Sequence, residues 1–299
     1  MHNPQPTRSV NVQDSSKFLT QTSNGVCQSA LCKASASVSS LFLGLLISFG
    51  GSAIAQTETP PAAPPALTTA LSQMDTAASE GDLDAVMEFF SPNLTHSDGL
   101  NYQNLRNALA GFWERYPDLT YRTTLNSWQQ DGAAIVAETT TTITGTRTND
   151  GRRLNLNASI TSRQRFENGE IVRQDILSER SEVTTGVRPP TVEVSLPEQV
   201  TTGESFNFDA IVAEPLGERL LLGAAIEEPI RPRGYLRAAP INLEILSAGG
   251  LFKVGQAPAQ PNSQWISAVV VRNDGITLVT ERLQVNRPSS STETQSPSQ

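Results

Sequence analysis

Three dipeptides with one shared preference fall at nearly even spacing: Asp131-Gly132, Asp150-Gly151 and Asn168-Gly169. Each suits a two-residue hairpin loop, because Gly and Asx residues accept the positive φ that such loops require. Together they predict four antiparallel strands, at about 121–130, 133–149, 152–167 and 170–183. Register then decides which side chains share a face. This reading sets Trp128 beside Ile135, Thr141 beside Ile160, Ile143 beside Ala158, Phe166 beside Ile171 and Ile160 beside Leu177. On that face a polar belt lies between apolar layers. One row is Asn126, Ala137, Gln164 and Arg173, and the next is Thr124, Thr139, Ser162 and Asp175. A few polar groups within an apolar wall describe a ligand pocket. Ser162, Gln164, Arg173 and Asp175 are therefore its expected polar contacts, and Trp113 and Trp128 its walls. A buried Arg173 would need Asp175 or a ligand anion within reach.

Upstream the hydrophobic period is helical. Leu67, Leu71, Met74 and Ala78 form one stripe that Gly81 ends. Asp82 is an N-cap for a second helix with Leu83, Val86, Met87 and Phe90 on its apolar face. A third, at about 103–115, carries Leu105, Leu109, Phe112 and Trp113 on one side. Helices covering one face of a hairpin-built sheet predict an α+β fold.

The segments before and after have other roles. Residues 38–55, VSSLFLGLLISFGGSAIA, hold an apolar centre well short of the roughly 20 residues a membrane helix needs. Lys33 precedes it and the small-x-small run Ala53-Ile54-Ala55 follows, so residues 1–55 are expected to be a secretory signal peptide. Cleavage would remove both cysteines, Cys27 and Cys32, leaving a mature chain without disulfide or thiolate chemistry. His96 would be its one histidine, so no His-built metal site is expected, and no cofactor. The whole chain carries a formal charge of −8, and the mature part is more acidic still, which argues against nucleic-acid binding. Residues 56–65 are a Pro/Ala linker, and 288–299 a Ser/Pro/Gln/Thr tail expected to be disordered.

Val187-Arg188-Pro189-Pro190 punctuates the middle, dividing a unit at 66–186 from one at 191–287. The second unit alternates in short strands around Val192, Phe206, Leu220–Ile226, Ile241, Trp265–Arg272 and Ile276–Val285. With no Cys pair, Trp265 would pack on apolar side chains. Seven or so such strands suggest an all-β, immunoglobulin-like sandwich. The connection at 228–240, EPIRPRGYLRAAP, presents Arg231, Arg233, Arg237 and Tyr235 and reads as a contact surface for an anionic partner or a cell-envelope glycan.

The helix–Gly-Asp–helix passage at 80–98, EGDLDAVMEFFSPNLTHSD, and the turn Asn168-Gly169-Glu170-Ile171-Val172 resemble the nuclear transport factor 2-like fold, which includes ketosteroid isomerase and the SnoaL-like cyclases. The resemblance covers about 67–183 and implies a cone-shaped cup of helices over a curved antiparallel sheet. It also implies a general-base position at Asp98, with His96 two residues away as its partner in acid/base work. The Tyr and protonated acid of the isomerase's oxyanion hole are replaced by Met74 and Ser162, and Met cannot donate a hydrogen bond. The fold hosts binders as well as enzymes. Three functions follow as expectations. One is an exported, non-catalytic small-ligand-binding or protein-interaction module of the bacterial cell envelope, taking an apolar-polar ligand or an envelope protein partner. Another is a SnoaL-like or isomerase-type enzyme using Asp98. The last is a structural envelope protein whose cup is filled by its own side chains. The outer sheet face, with Val172 and Ile176, is where a homodimer would form.

Amino-terminal sequencing of the exported form is expected to start at Gln56 or next to it. Recovery of Cys27 or Cys32 in that form would refute the leader assignment.

Overall fold

The computed structural model describes residues 62–215, 220–236 and 241–288. The predicted leader, most of the Pro/Ala linker and most of the tail lie outside the described residues. Helix α1 (Pro65–Glu80) buries Leu67, Leu71, Ala77 and Ala78 and stops at Gly81, whose φ of 73° only a residue without a Cβ adopts readily. Asp82 caps α2 (Leu83–Met87) by accepting from the Ala85 amide at 3.0 Å. Strand β1 (Phe90–His96) follows, then α3 (Tyr102–Arg115), capped by Asn101.

Four long strands come next: β2 (Asp118–Asp131), β3 (Ala134–Asn149), β4 (Arg152–Glu167) and β5 (Glu170–Gly186). The Asp150-Gly151 and Asn168-Gly169 turns have positive φ at both residues, and the pairings Asn149↔Arg152 and Glu167↔Glu170 are those the dipeptides predict. The first turn differs. Asp131 pairs with Ala134, so the loop is Gly132-Ala133 and Trp128 lies opposite Ala137 instead of Ile135.

The C-terminal half adds β6 (Val192–Ser195), β7 (Gln199–Thr201), β8 (Ser205–Val212), β9 (Leu222–Pro229), a 3-10 turn (Gly234–Leu236), β10 (Glu244–Ile245), β11 (Gly250–Gln256), β12 (Gln264–Arg272) and β13 (Gly275–Asn286). The three strands β11-β8-β6 form a small sheet. The others extend the first sheet in the order β10-β9-β12-β13-β5-β4-β3-β2, with β1 parallel to β5 and β7 parallel to β13.

This overturns the expected α+β class. The protein is predominantly β, and the pairing of β13 with β5, from Gly275↔Gly186 to Glu281↔Arg180, carries one ten-stranded sheet through both halves. The cone of helices over a sheet describes only the first half. The reason is that, beyond the stretch paired with β1, β5 had a free edge once β4 had paired with its other side, and a long unpaired edge seeks a neighbour.

That shared sheet has two covered faces in its C-terminal part. Ile266, Ala268, Val270, Val279, Leu283 and Val285 face the small sheet, against Phe206, Phe208, Ala210 and Leu251. The alternate residues Val269, Ile276 and Leu278 join the layer containing Tyr116, Ile143, Leu156 and Val183 from the first half. So the helix-covered face of β2–β5 continues onto β13 and β12.

The two halves are also bonded to each other around 187–190. The amides of Val187 and Arg188 both donate to the Asp274 carbonyl, Arg272 Nη2 donates to the Arg188 carbonyl at 2.8 Å, and Thr277 Oγ1 to that of Pro190 at 2.6 Å. At the crossing a Cβ on Gly275 would stand 2.4 Å from Pro189 Cα, and one on Gly186 2.5 Å from the Asp274 carbonyl oxygen. Both glycines are therefore required by close approach.

Gly275→Val is expected to destabilise the whole protein by on the order of 2–3 kcal/mol, because backbone atoms would have to move apart. Differential scanning calorimetry of the wild type should show one cooperative transition spanning both halves. Two separable transitions, with the variant affecting only the second, would contradict the shared-sheet account.

Candidate functional site

The concave face of the sheet and the three helices enclose a cavity of about 210 Å3. Its walls are apolar, with Met74, Leu105, Leu109, Trp113, Ile143 and Ile160 among them. Ser162 and Gln164 line it, 2 % and 4 % exposed. Trp113 lines it too and donates its indole N–H to the Tyr121 hydroxyl at 2.8 Å. Trp128 does not; it packs in the apolar cluster with Phe90, Phe166 and Ile171.

Arg173 and Asp175 are not in the cup, which corrects their assignment to the pocket. They pair with each other in a two-bond fork, at 2.8 Å for each bond, and the Arg173 side chain is 58 % exposed. Two irregularities in the β4–β5 pairing cause this. Arg165 sits opposite Arg173 and Phe166 opposite Ile171, so Val172 is an extra residue. From there Gln174 and Ile176 turn inward and Arg173 and Asp175 outward. Ile176 therefore lines the cavity and does not belong to an outer dimer face. A second irregularity, with Thr161 opposite Ser178 and Ser162 opposite Ile176, restores the original alternation. Glu179, Ser181 and Val183 then face the cup side. A similar slip at Asn126 in β2 puts Thr123 opposite Thr141, in place of Arg122. Asp75 of α1 accepts from the Thr123 amide and hydroxyl at 2.5 and 2.6 Å.

One end of the cavity is polar and is formed jointly by the two halves. His96, Gln174 and Glu179 come from the first, and Tyr235 and Arg282 from the second. Arg282, whose side chain is 1 % exposed, lies between two carboxylates. Its Nη1 and Nη2 reach the Asp98 oxygens at 2.9 and 2.8 Å, and its Nε and Nη2 reach Glu179 Oε2 at 3.0 and 2.7 Å. Tyr235 donates to Asp98 Oδ2 at 2.5 Å, and Trp265 Nε1 to Glu179 Oε2 at 3.1 Å. Trp265 also meets Tyr235 edge-on, ring centroids 4.9 Å apart, so it is not packed on apolar neighbours alone. Tyr235, expected in an exposed contact loop, is turned inward.

This arrangement changes the chemistry open to Asp98. Burial alone would raise its pKa, but the Arg282 fork, with the Tyr235 hydroxyl and His96, outweighs burial and holds the carboxyl below the ordinary value. Both oxygens are occupied by donors. The side chain also lines a different space, a polar cleft of about 320 Å3 with Ser97, Arg231, Asn262 and Ser263, which shares Arg282 with the cup. His96 is not oriented by Asp98 as a dyad would require. Its Nδ1 accepts from the Asp98 amide at 3.1 Å and stands 3.9 Å from the nearer carboxylate oxygen. Burial, with the Arg282 charge, lowers its pKa against the pull of Asp98, so the ring is held neutral with its proton on Nε2.

Glu179, Tyr235 and Arg282 were not singled out as site residues from the sequence. Glu179 shares the parity of Ile171 along β5 and could have been found by following the inward row past Leu177. Arg282 is a charge within the otherwise apolar alternation of 276–285, but nothing local says which carboxylate it meets.

A family profile described as a SnoaL-like domain matches residues 71–174, and one described as a domain of unknown function, DUF8623, matches residues 187–286. No curated protein matches the sequence. Among solved structures, Bd1075 of Bdellovibrio bacteriovorus is 12 % identical with a TM-score of 0.29, covering 37 % of this chain and 39 % of its own. An LEH-like epoxide hydrolase of M. tuberculosis is 15 % identical with a TM-score of 0.26, covering 37 % of this chain and 80 % of its own. A conserved protein of Planctomyces limnophilus DSM 3776 is 14 % identical with a TM-score of 0.31, covering 37 % and 91 %.

Arg282→Met would leave two buried carboxylates facing each other without a cation. It is expected to cost about 3–5 kcal/mol of stability by chemical denaturation. Acid should weaken the fold in two steps. His96 has a folded pKa below the ordinary value of 6.5, so its contribution is full above that value and declines as pH falls through it. Asp98 is depressed below the ordinary 3.8, so its contribution is full above that value and disappears at lower pH. His96→Gln should flatten the decline that begins below about pH 6.5 and leave the limb due to Asp98 in place. Residues 71–174 of this chain are a SnoaL-like domain, and the half that follows it completes its cup.

Proposed function

We propose that the chain is an exported ligand-binding module of the bacterial cell envelope, whose cup takes a small, largely apolar molecule with one polar group. The observation that carries this reading is the cavity itself. Its largely apolar wall carries a cluster of Glu179, Tyr235 and Arg282, so a bound molecule meets mostly carbon and, at that cluster, charged and hydroxyl groups. About 210 Å3 is below the roughly 300–1,000 Å3 of drug-sized sites, which favours a small occupant. An open cavity also favours a binder over a purely structural protein filled by its own side chains. The location in the envelope rests on the leader-like residues 1–55.

The isomerase-type alternative needs Asp98 to take a proton from a molecule in the cup. Its carboxylate has both oxygens bonded and lines the cleft that shares Arg282 with the cup. A general base needs a free lone pair within hydrogen-bond reach of the proton it removes.

Native mass spectrometry of the mature protein purified from its source is expected to show a co-purifying molecule of small mass. Leu109→Trp, placed in the cavity wall, should abolish that adduct while leaving the melting temperature within a few degrees. Absence of any adduct together with failure of the empty protein to bind small apolar compounds would refute the reading. Asp98→Asn is expected to leave binding nearly intact provided the fold is retained.

A further inference from the structure

The polar end of the cup carries an unbalanced charge. Asp98 and Glu179 share one guanidinium, so the buried cluster is one negative charge in excess. His96 is held neutral and adds nothing to offset it. The donors are also unevenly distributed. Glu179 Oε2 accepts from Arg282 Nε, Arg282 Nη2 and Trp265 Nε1, and among the described residues Oε1 accepts from no side chain or amide. The Glu179 side chain is 5 % exposed, and the space it borders is the cavity. An ionised carboxylate oxygen that borders a largely apolar cavity has no protein donor, so only what occupies the cavity can supply one. A ligand that brings both a donor and a positive charge to that oxygen repairs both deficits.

We propose that the cup selects a small organic cation, an apolar body ending in a protonated amine, with the ammonium on Glu179 Oε1. This rests on the reading of the cup as a ligand pocket. Two other charged residues line the cavity, and neither serves this role. Asp75 is engaged by the amide and hydroxyl of Thr123. Arg115, among the described residues, makes no ion pair with Asp98 or Glu179, whose cation is Arg282. The apolar wall fits the body of such a molecule.

The test uses the mature wild-type protein and three probes of equal length: hexylamine, 1-hexanol and hexanoate, titrated calorimetrically at neutral pH. Hexylammonium is expected to bind at least tenfold more tightly than hexanol, and hexanoate the most weakly. In Glu179→Gln the preference for the amine should collapse to less than twofold while hexanol binding persists. Should that variant fail to fold, the crystal structure of the wild-type hexylamine complex decides, with the nitrogen expected within hydrogen-bond distance of Glu179 Oε1. Hexanol binding as well as hexylamine, or a nitrogen seated at Asp75, overturns the cation assignment and leaves the cup reading standing. Failure of all three probes to bind overturns both.

Discussion

The guanidinium of Arg282 joins groups from distant stretches of chain. Asp98 follows β1, Glu179 lies in β5, and Tyr235 reaches the same centre through its bond to Asp98. None of these charges could be buried alone, since removing an ion from water costs several kcal/mol unless a partner and further hydrogen bonds replace the lost solvation. The cluster therefore constrains what surrounds it. β13 must lie beside β5, the 3-10 turn must fold down over Trp265, and the segment after β1 must end where Asp98 can meet the Arg282 fork.

The shared sheet makes that possible. Pairing of β13 with β5 removes the free edge of the first half and brings the alternate residues Ile276, Leu278, Thr280 and Arg282 onto the face the cup already uses. The opposite residues, Val279, Leu283 and Val285, are committed to the small sheet. One strand thus serves two layers, and its period of two sorts one side chain set from the other. The linker at 187–190 is held by the β12–β13 hairpin through Arg272, Asp274 and Thr277, so the two halves meet as parts of one packed body.

This has a consequence for chemistry. In a cup formed by residues 71–174 alone, Asp98 would be an acid at the end of a short strand with oxygens to spare. With the second half in place it becomes a saturated anion in a structural cluster, and the carboxylate oxygen left facing the cavity belongs to Glu179. Electrostatic character has moved from the residue that the family resemblance points to onto one that only the assembled sheet exposes.

The hairpin dipeptides determined much of the first half by themselves. Asp150-Gly151 and Asn168-Gly169 set the β3–β4 and β4–β5 registers at the turns, because positive φ at two successive residues leaves few alternatives, and Ser162 and Gln164 follow on the inner face. The helices were legible in the stripe from Leu67 to Ala78 and in the Asp82 cap. What the sequence alone did not reveal was where an extra residue enters a strand. The irregularities at Val172, Leu177 and Asn126 have no dipeptide signature, and each reverses the inward row beyond it, which is why Arg173 and Asp175 point away from the cavity. Nor does local sequence show that β13 pairs with β5, because edge-to-edge pairing depends on which hydrogen-bonding edge is left open once the other strands have formed. Only the tertiary structure could bring Arg282 to Asp98, 184 positions away, and so decide which carboxylate is silent and which is exposed to a ligand.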